Sequence, residues 1–434
     1  MTETDYFDRV ERQLVRRVEE RGHGRARRSP RAPVGFQQLG FAAALLVVVV
    51  VVAVFLGVRG HGKTASPGTG RGAEVVFRAV ALDPHVPLGT LVERAIPILR
   101  RRLDSAVRGV RVAATGNEIV VTAPKQSEVA QIVALSASGV LDFYDWEANA
   151  LITSGPSAGK TVASGLRAAD PAAVLISQGS ATAAPGGPGV GSLFLYQAVE
   201  LAHKQAAARP RYNQSHLGPD YYLFGAPGSA ACRLAAQAEQ APPALGEPCL
   251  LAGPGNSVSD IAGDLSVAFG DRVKLSRGLL LTVPEGTVVV QAVDPDSSKP
   301  VPANAPAAQF YVLRDRPSLQ APEITNPRES TDESGGPDVH FAFTSRGQLQ
   351  FRQVTKQIAK RGGIGPPGQN YDQHFAVVLD GKLITVPSID FHQYPDGISG
   401  RGGAEITGGF TRTSAKDLAA VLRFGALPVR LVLQ

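Results

Sequence analysis

The sequence predicts an α+β protein carried on a membrane anchor, and three observations support that prediction. Residues 39–58 form a run of about twenty positions without a charge, long enough to cross a bilayer core of roughly 30 Å as a helix. Beyond it, short β-rich runs with alternating apolar positions alternate with stretches whose apolar residues recur at helical spacing. Near the C-terminus, Asp380-Gly381 separates the β-rich runs Phe375 to Leu379 and Lys382 to Val386, which is the signature of a hairpin with a two-residue type I′ turn.

At 434 residues the chain exceeds one ordinary core, so an anchor with two or three folded units is expected. The net charge of +6 is unevenly spread, with nine arginines against six acids in residues 1–38 and 35 basic against 32 acidic residues after the span. A nucleic-acid-binding domain would concentrate a basic face; the body of this chain is close to neutral, so no nucleic-acid partner is expected.

Residues 1–38 form a basic tail. Phe7, Val10, Leu14 and Val18 recur at helical spacing ahead of Arg21, Arg25, Arg27, Arg28 and Arg31, a pattern that suits either an interfacial helix against anionic lipid or a juxtamembrane tail. Five arginines precede the 39–58 span within twenty positions. The positive-inside rule therefore places the N-terminus in the cytoplasm and the remainder outside. The apolar run is too long and too far from the N-terminus for a cleaved leader, and no second run of its length occurs, so a single-pass protein of the cell membrane is expected. Residues 59–73 read as a linker.

From residue 74 to 145 the pattern is strand (Val75 to Leu82), helix (Leu91 to Ala106), strand (Val110 to Ala114), strand (Ile119 to Thr122), helix (Ser127 to Leu135) and strand (Val140 to Tyr144). That βαββαβ order is the one used by ferredoxin-like sheets. In the first helix Val92, Ile96, Leu99 and Leu103 share a stripe, which leaves Arg94, Arg100, Arg101 and Arg102 to solvent. Pro97 predicts a kink or a helix start nearby. Residues 146–330 read as an elaborated, loop-rich head with a helix at Leu193 to Ala207 and strands at Leu279 to Val283, Thr287 to Val293 and Gln309 to Leu313.

Residues 331–434 repeat the earlier order: strand (Val339 to Phe343), helix (Gly347 to Lys360), the Asp380-Gly381 hairpin, helix (Ser414 to Phe424) and strand (Val429 to Leu433). Ser414 can cap that last helix, and Asp417 suits its first turn. Gly425 supplies a left-handed stop and Pro428 forbids continuation.

Little catalytic chemistry is legible. The stretch Gly155-Pro-Ser-Ala-Gly-Lys-Thr161 has three residues between its glycines, one too few for a phosphate-binding loop. The histidines lack paired spacing with Cys or carboxylates, and no nucleophile elbow is present. The sequence therefore predicts no enzyme, no cofactor and no metal. Cys232 and Cys249 are the only cysteines; on the outer side of a membrane they read as one disulfide, with two free thiols as the alternative.

The runs HFAVVLDGKLITVPSI, AEITGGF and SAKDLAAVLRFGALPVRL, which contain Asp380, Gly381, Pro387, Gly408, Phe410, Gly425, Leu427 and Pro428, resemble the C-terminal part of the large extracytoplasmic domain of SecD, an accessory subunit of the bacterial protein-export translocase. Glu93 to Pro124 resembles the first part of that domain. The resemblance implies a ferredoxin-like base with a large inserted head subdomain, the two chain ends packing together. It implies as partners SecF, the Sec channel subunits, unfolded secretory polypeptides and the lipid bilayer. It implies that the domain holds an emerging polypeptide against back-sliding, a task suited to exposed strand edges. Two departures stand out. Gly70-Arg-Gly-Ala73 replaces the Asp-Leu-x-Gly-Gly element usual before the first strand, and the membrane helices that follow the ALP element in SecD are not reached by Gln434. Energy coupling would then come from a partner or be absent, and the chain reads equally as a truncated or split SecD. The alternative is a stand-alone membrane-tethered binding module.

Overall fold

The computed structural model describes residues 72–167, 190–208, 218–239, 244–293, 301–332, 335–363, 373–407 and 410–434. The basic tail 1–38, the apolar span 39–58, most of the linker and Gly408 lie outside the described residues. Among the described residues, no helix is long and apolar enough to cross a membrane.

The chain enters through β1 (Ala73–Ala81), α1 (Leu88–Asp104), β2 (Arg111–Thr115), β3 (Glu118–Ala123) and α2 (Val129–Leu135). Val75, Phe77 and Ala79 alternate inward on β1, Ile119 and Val121 on β3, and Leu91, Val92, Ala95, Leu99 and Leu103 face them from α1, all buried. The periods of two and 3.6 thus meet across one core. Pro97 lies inside α1; the helix begins nine residues before it rather than at it.

The next strand, β4 (Leu141–Asp145), corrects the sequence reading. It does not close this sheet. The fourth position is taken by β17 (Val429–Leu433) from the C-terminus, in the order β17-β1-β3-β2. All pairs are antiparallel, with Phe77 opposite Leu433 and Val75 opposite Val121. The β4 positions Leu141, Phe143, Tyr144 and Asp145 are all buried, as expected of a strand with neighbours on both sides, whereas β17 keeps one buried residue and four half-buried ones, which suits an edge.

After β4 come α3 (Trp146–Asn149), α4 (Val162–Arg167), α5 (Leu195–His203), β5 (Asp220–Gly225), α6 (Ala230–Glu239), β6 (Cys249–Gly255), α7 (Val258–Phe269), β7 (Leu279–Val283), β8 (Thr287–Ala292), β9 (Phe310–Arg314) and β10 (Leu319–Gln320). The region read as loop-rich is therefore organised. Strands β6-β5-β7 form a three-stranded sheet whose Leu223, Cys249, Leu251 and Ala252 pack against Ile261, Leu265 and Phe269 of α7. Its Ala and Gly content hid this unit, because small residues carry little periodic contrast.

The last third contains β11 (Ile324–Thr331), β12 (Pro337–Phe343), α8 (Ser345–Gly362), β13 (Gln373–Leu379), β14 (Lys382–Thr385), β15 (Ser388–Ile389), β16 (Ala404–Ile406) and α9 (Arg412–Phe424). These elements fall where the sequence put them, but they do not make a second βαββαβ unit. β12 pairs with β11 and β16, the β13–β14 hairpin lies in the central sheet β10-β4-β13-β14-β8-β9, and β17 belongs to the first sheet. Helix α9 is capped by Thr411, not Ser414: the Ser414 amide donates to Thr411 Oγ1 at 3.1 Å and the Thr411 amide to Ser414 Oγ at 3.0 Å, a reciprocal box. The helix sits between two cores. Ala415, Ala419 and Leu422 pack with Phe341 and Phe375, whereas Val421 packs with Leu99 and Ile119 of the first unit.

Candidate functional site

The hairpin turn at Asp380-Gly381 has φ of 49° and 74°, the two positive values that a type I′ turn requires. Asp380 also reaches out of its hairpin. Its carboxylate accepts from the amides of Gly139 (3.1 Å) and Val140 (2.8 Å), and its own amide donates to the Val140 carbonyl at 2.9 Å. The residue as a whole is exposed at the turn, while its carboxyl is enclosed by these partners. Burial raises the carboxyl's pKa, against the pull of the two amides and of Arg102 and Lys382.

Arg102 is the residue the sequence reading misplaced. It is 0 % exposed. Its Nη1 donates to the carbonyls of Leu135 (3.1 Å) and Ala137, and its Nη2 to those of Ser138 (3.1 Å) and Gly425. Burial lowers its pKa to about 10, with Asp380 acting in the opposite sense, so the group stays charged at neutral pH. The missed signal was positional: Arg102 falls three residues after Leu99 and beside Leu103, on the apolar stripe. Arg94, Arg100 and Arg101 are exposed, as expected. Gly139 (φ +76°) lets the guanidinium in, since a Cβ there would stand 2.8 Å from Nη2 and 2.5 Å from Val421 Cγ1.

The C-terminal motif completes this joint. Gly425 ends α9 with φ 90° and ψ 167°, a glycine-only extended conformation rather than the left-handed helical stop expected. The Leu427 amide donates to Ser138 at 2.8 Å, and the Leu82 amide to Pro428 at 3.2 Å. Asp380 and Leu427 thus bond directly to residues 138–140, where the first unit hands over to the rest of the chain, and Gly425 joins them through Arg102. Gly381 accepts instead from the Gln291 amide at 3.0 Å, and Pro428 from Leu82. Pro387 and Phe410 lie elsewhere. Pro387 accepts from the Phe375 amide at 2.9 Å, and Phe410 packs, half-buried, on the aromatic core.

A second contact joins the β5–β7 unit to the first sheet, and it is polar. Arg78 of β1 pairs with Asp264 and, at 3.8 Å, with Asp260, both on α7. Arg430 donates to the Pro254 carbonyl, Asn256 to that of Ala81, and His85 lies 3.4 Å from Glu285. Burial raises the Asp264 pKa, against Arg78 and Arg430. The apolar clusters on the two sides are separate. Cys232 and Cys249 form a disulfide within the β5–β7 unit, Cα–Cα 5.7 Å, joining α6 to the start of β6.

Other chemistry-bearing groups are structural in their contacts. Glu147 Oε1 holds His374 Nδ1 at 2.7 Å and its Oε2 accepts from the His374 amide at 2.9 Å, tying α3 to β13. Asp145 pairs with Arg361. In the Gly155 to Thr161 stretch the Gly159 amide donates to Ile152 at 2.9 Å and the Lys160 amide to Ser157 at 3.0 Å, so these amides are committed internally instead of curling round a phosphate. Among the described residues no group of three or more His, Cys, Asp or Glu could hold a metal ion.

Comparison with known proteins adds a family to this geometry. The SecDF P1 head subdomain family matches residues 298–429. The protein translocase subunit SecD of Rhodobacter capsulatus is 39% identical over 119 residues, 27% of this chain and 18% of that protein. The SecD of Magnetococcus marinus is 37% identical over 118 residues, 27% of this chain and 19% of that protein. The chain thus spans about a fifth of the length of these relatives. Among solved structures, a membrane component SecDF that enhances protein export is 18% identical, with a TM-score of 0.35 over 83% of this chain and 97% of that one. SecDF in its super-membrane-facing form is also 18% identical, with a TM-score of 0.36 over 90% of this chain and 34% of that one. The matched segment holds Asp380, Gly425 and Leu427 of the joint, and the resemblance to SecD read from this part of the sequence is borne out: residues 298–429 match the P1 head subdomain of SecDF.

Proposed function

We propose that the chain is a SecD-type accessory component of bacterial protein export. It is anchored by residues 39–58 with the basic tail in the cytoplasm, and it engages emerging polypeptide on the outer side of the cell membrane. The observation that carries this reading is the family match over residues 298–429. The joint supports it physically. The four-stranded sheet, assembled from both chain ends, serves as a ferredoxin-like base, and the Arg102 hub fixes the head on it. The β5–β7 unit meets the base through ion pairs and carbonyl contacts, an interface of the kind that permits relative motion. The task needs no catalytic residue and no cofactor. SecF and the Sec channel subunits are the partners such a component would have.

Photocrosslinkers at exposed head positions test this reading. Leu349, 72% exposed, and Leu279, 49% exposed, are suitable sites. Contacts with secretory precursors and channel subunits in cells are the expected result. Capture of one fixed envelope protein and no precursor would favour a stand-alone binding module and overturn the export reading. Protease added to spheroplasts should remove residues 74–434 and spare the arginine-rich tail; protection of those residues would overturn the proposed orientation.

A further inference from the structure

Strand edges expose backbone donors and acceptors that can pair with another chain, and this fold treats its edges unequally. On β6, Asn304 closes the Leu250 peptide from both sides, its Oδ1 accepting from the Leu250 amide at 2.6 Å and its Nδ2 donating to the Leu250 carbonyl at 3.1 Å. On β7, the ring of His203 occupies the Thr282 carbonyl at 2.8 Å. A side chain thus stands where another strand would add at both edges of the three-stranded sheet.

The β2 edge of the base sheet is covered by a side chain at Val112 and open at Ala114. β2 pairs only with β3 among the described residues. Arg100 Nη2 donates to the Val112 carbonyl at 2.9 Å, which marks Val112 as a residue whose backbone points away from β3. In an antiparallel ladder this direction alternates, so Ala114, two residues on, also turns its N–H and C=O outward. No bond to either is present among the described residues. Ala113, Ala114 and Thr115 are exposed. Arg111 on β2, Arg108 just before it and Arg100 bonded to Val112 are exposed, against Asp104 and Glu118, giving this edge a basic rim.

We propose that β2 is a docking edge for an extended, acidic polypeptide segment, which adds to the base sheet as a further strand. The outward backbone of Ala114 supplies the hydrogen bonds, with little regard to sequence, and the arginine rim supplies the preference for acidic side chains. A second copy of the chain fits poorly, because pairing β2 with itself would bring two basic rims together. The proposal rests on the export reading only for the source of such a segment: peptide binding can fail while precursor crosslinking succeeds, and the reverse.

The test uses the full chain in detergent and two fluorescein-labelled peptides, one alternating Glu with Val and Thr, the other with Lys in place of Glu. Binding is followed by anisotropy. The acidic peptide should bind at least about tenfold more tightly than the basic one. Ala114→Pro removes only an N–H that lies outside the ladder, a substitution an edge strand tolerates; it should weaken acidic-peptide binding by about tenfold or more. The double variant Arg108→Glu, Arg111→Glu should reverse the preference. Amide exchange on the unsubstituted chain gives a readout independent of any variant's folding: the acidic peptide should protect residues 110–116. Equal affinity for the two peptides, undiminished binding to a folded Ala114→Pro chain, protection elsewhere than 110–116, or peptide-independent dimers joined through β2 would each overturn the proposal.

Discussion

The guanidinium of Arg102 donates to the carbonyl of Gly425, a residue 323 positions later. Together with the pairing of β1 and β17, that contact joins the chain's first folded unit to its last. The same guanidinium holds the carbonyls of Leu135, Ala137 and Ser138, so four peptide groups from two distant segments share one cation.

Removing that cation should be costly. Arg102→Met takes the charged donor from four carbonyls, of which that of Ser138 still accepts from the Leu427 amide; each buried acceptor left unpaired costs about 1–3 kcal/mol. Arg102→Lys should recover little, because one ammonium cannot span the fork. Urea denaturation of the two variants measures both; near-unchanged midpoints would refute the hub.

Gly425→Ala isolates backbone strain. Nothing lies within 4 Å of the added Cβ, so any loss comes from holding φ at 90° and ψ at 167°. A cost of about 1–3 kcal/mol is expected for a non-glycine residue in that region, read as a lower thermal midpoint.

Asp380→Pro should break the hairpin, since proline fixes φ near −65° and the turn holds this residue at 49°. The variant should express poorly and melt early. Asp380→Asn keeps the turn and weakens only the acceptors for Gly139 and Val140, so it should fall between the two.

Asp417 gives a signed pH dependence. Its carboxyl lies on α9 and accepts from Gln131 Nε2 at 2.8 Å, and burial raises its pKa despite that bond. The folded chain therefore holds this proton more tightly than the unfolded one, whose Asp titrates near about 3.9. The stabilisation from the bound proton is full below that value and is lost as pH rises through the folded pKa. Asp417→Asn keeps an acceptor for Gln131 and carries no charge; its stability should exceed the parent's at pH 7 and should fall less between about pH 4 and 7.

The Cys232–Cys249 bridge closes a sequence separation of 17, and loops of that length give about 3 kcal/mol in the chain-entropy account. Reduction, or the double change to alanine, should speed amide exchange in β5 and β6 while leaving β1 and β3 near the parent's rate.

How much of this was legible follows from where the information lies. Sequence by itself determined many of the elements, though not β5, α6, β6 and α7. The Asp380-Gly381 turn, α8 and α9, and the strands around residues 279–283 and 429–433 are local matters of turn chemistry and apolar period, and they fall where the residues put them. Partners were another matter. That β17 rather than β4 flanks β1, that α9 divides its face between two cores, and that Arg102 turns inward depend on contacts between residues hundreds of positions apart. A strand's alternation says which face is buried and nothing about which strand lies beside it, and an arginine at the margin of an apolar stripe reads as solvated until four carbonyls are brought to meet it. Only the closed tertiary structure could decide those three points, because the free energy that settles them comes from neighbours the local sequence does not contain.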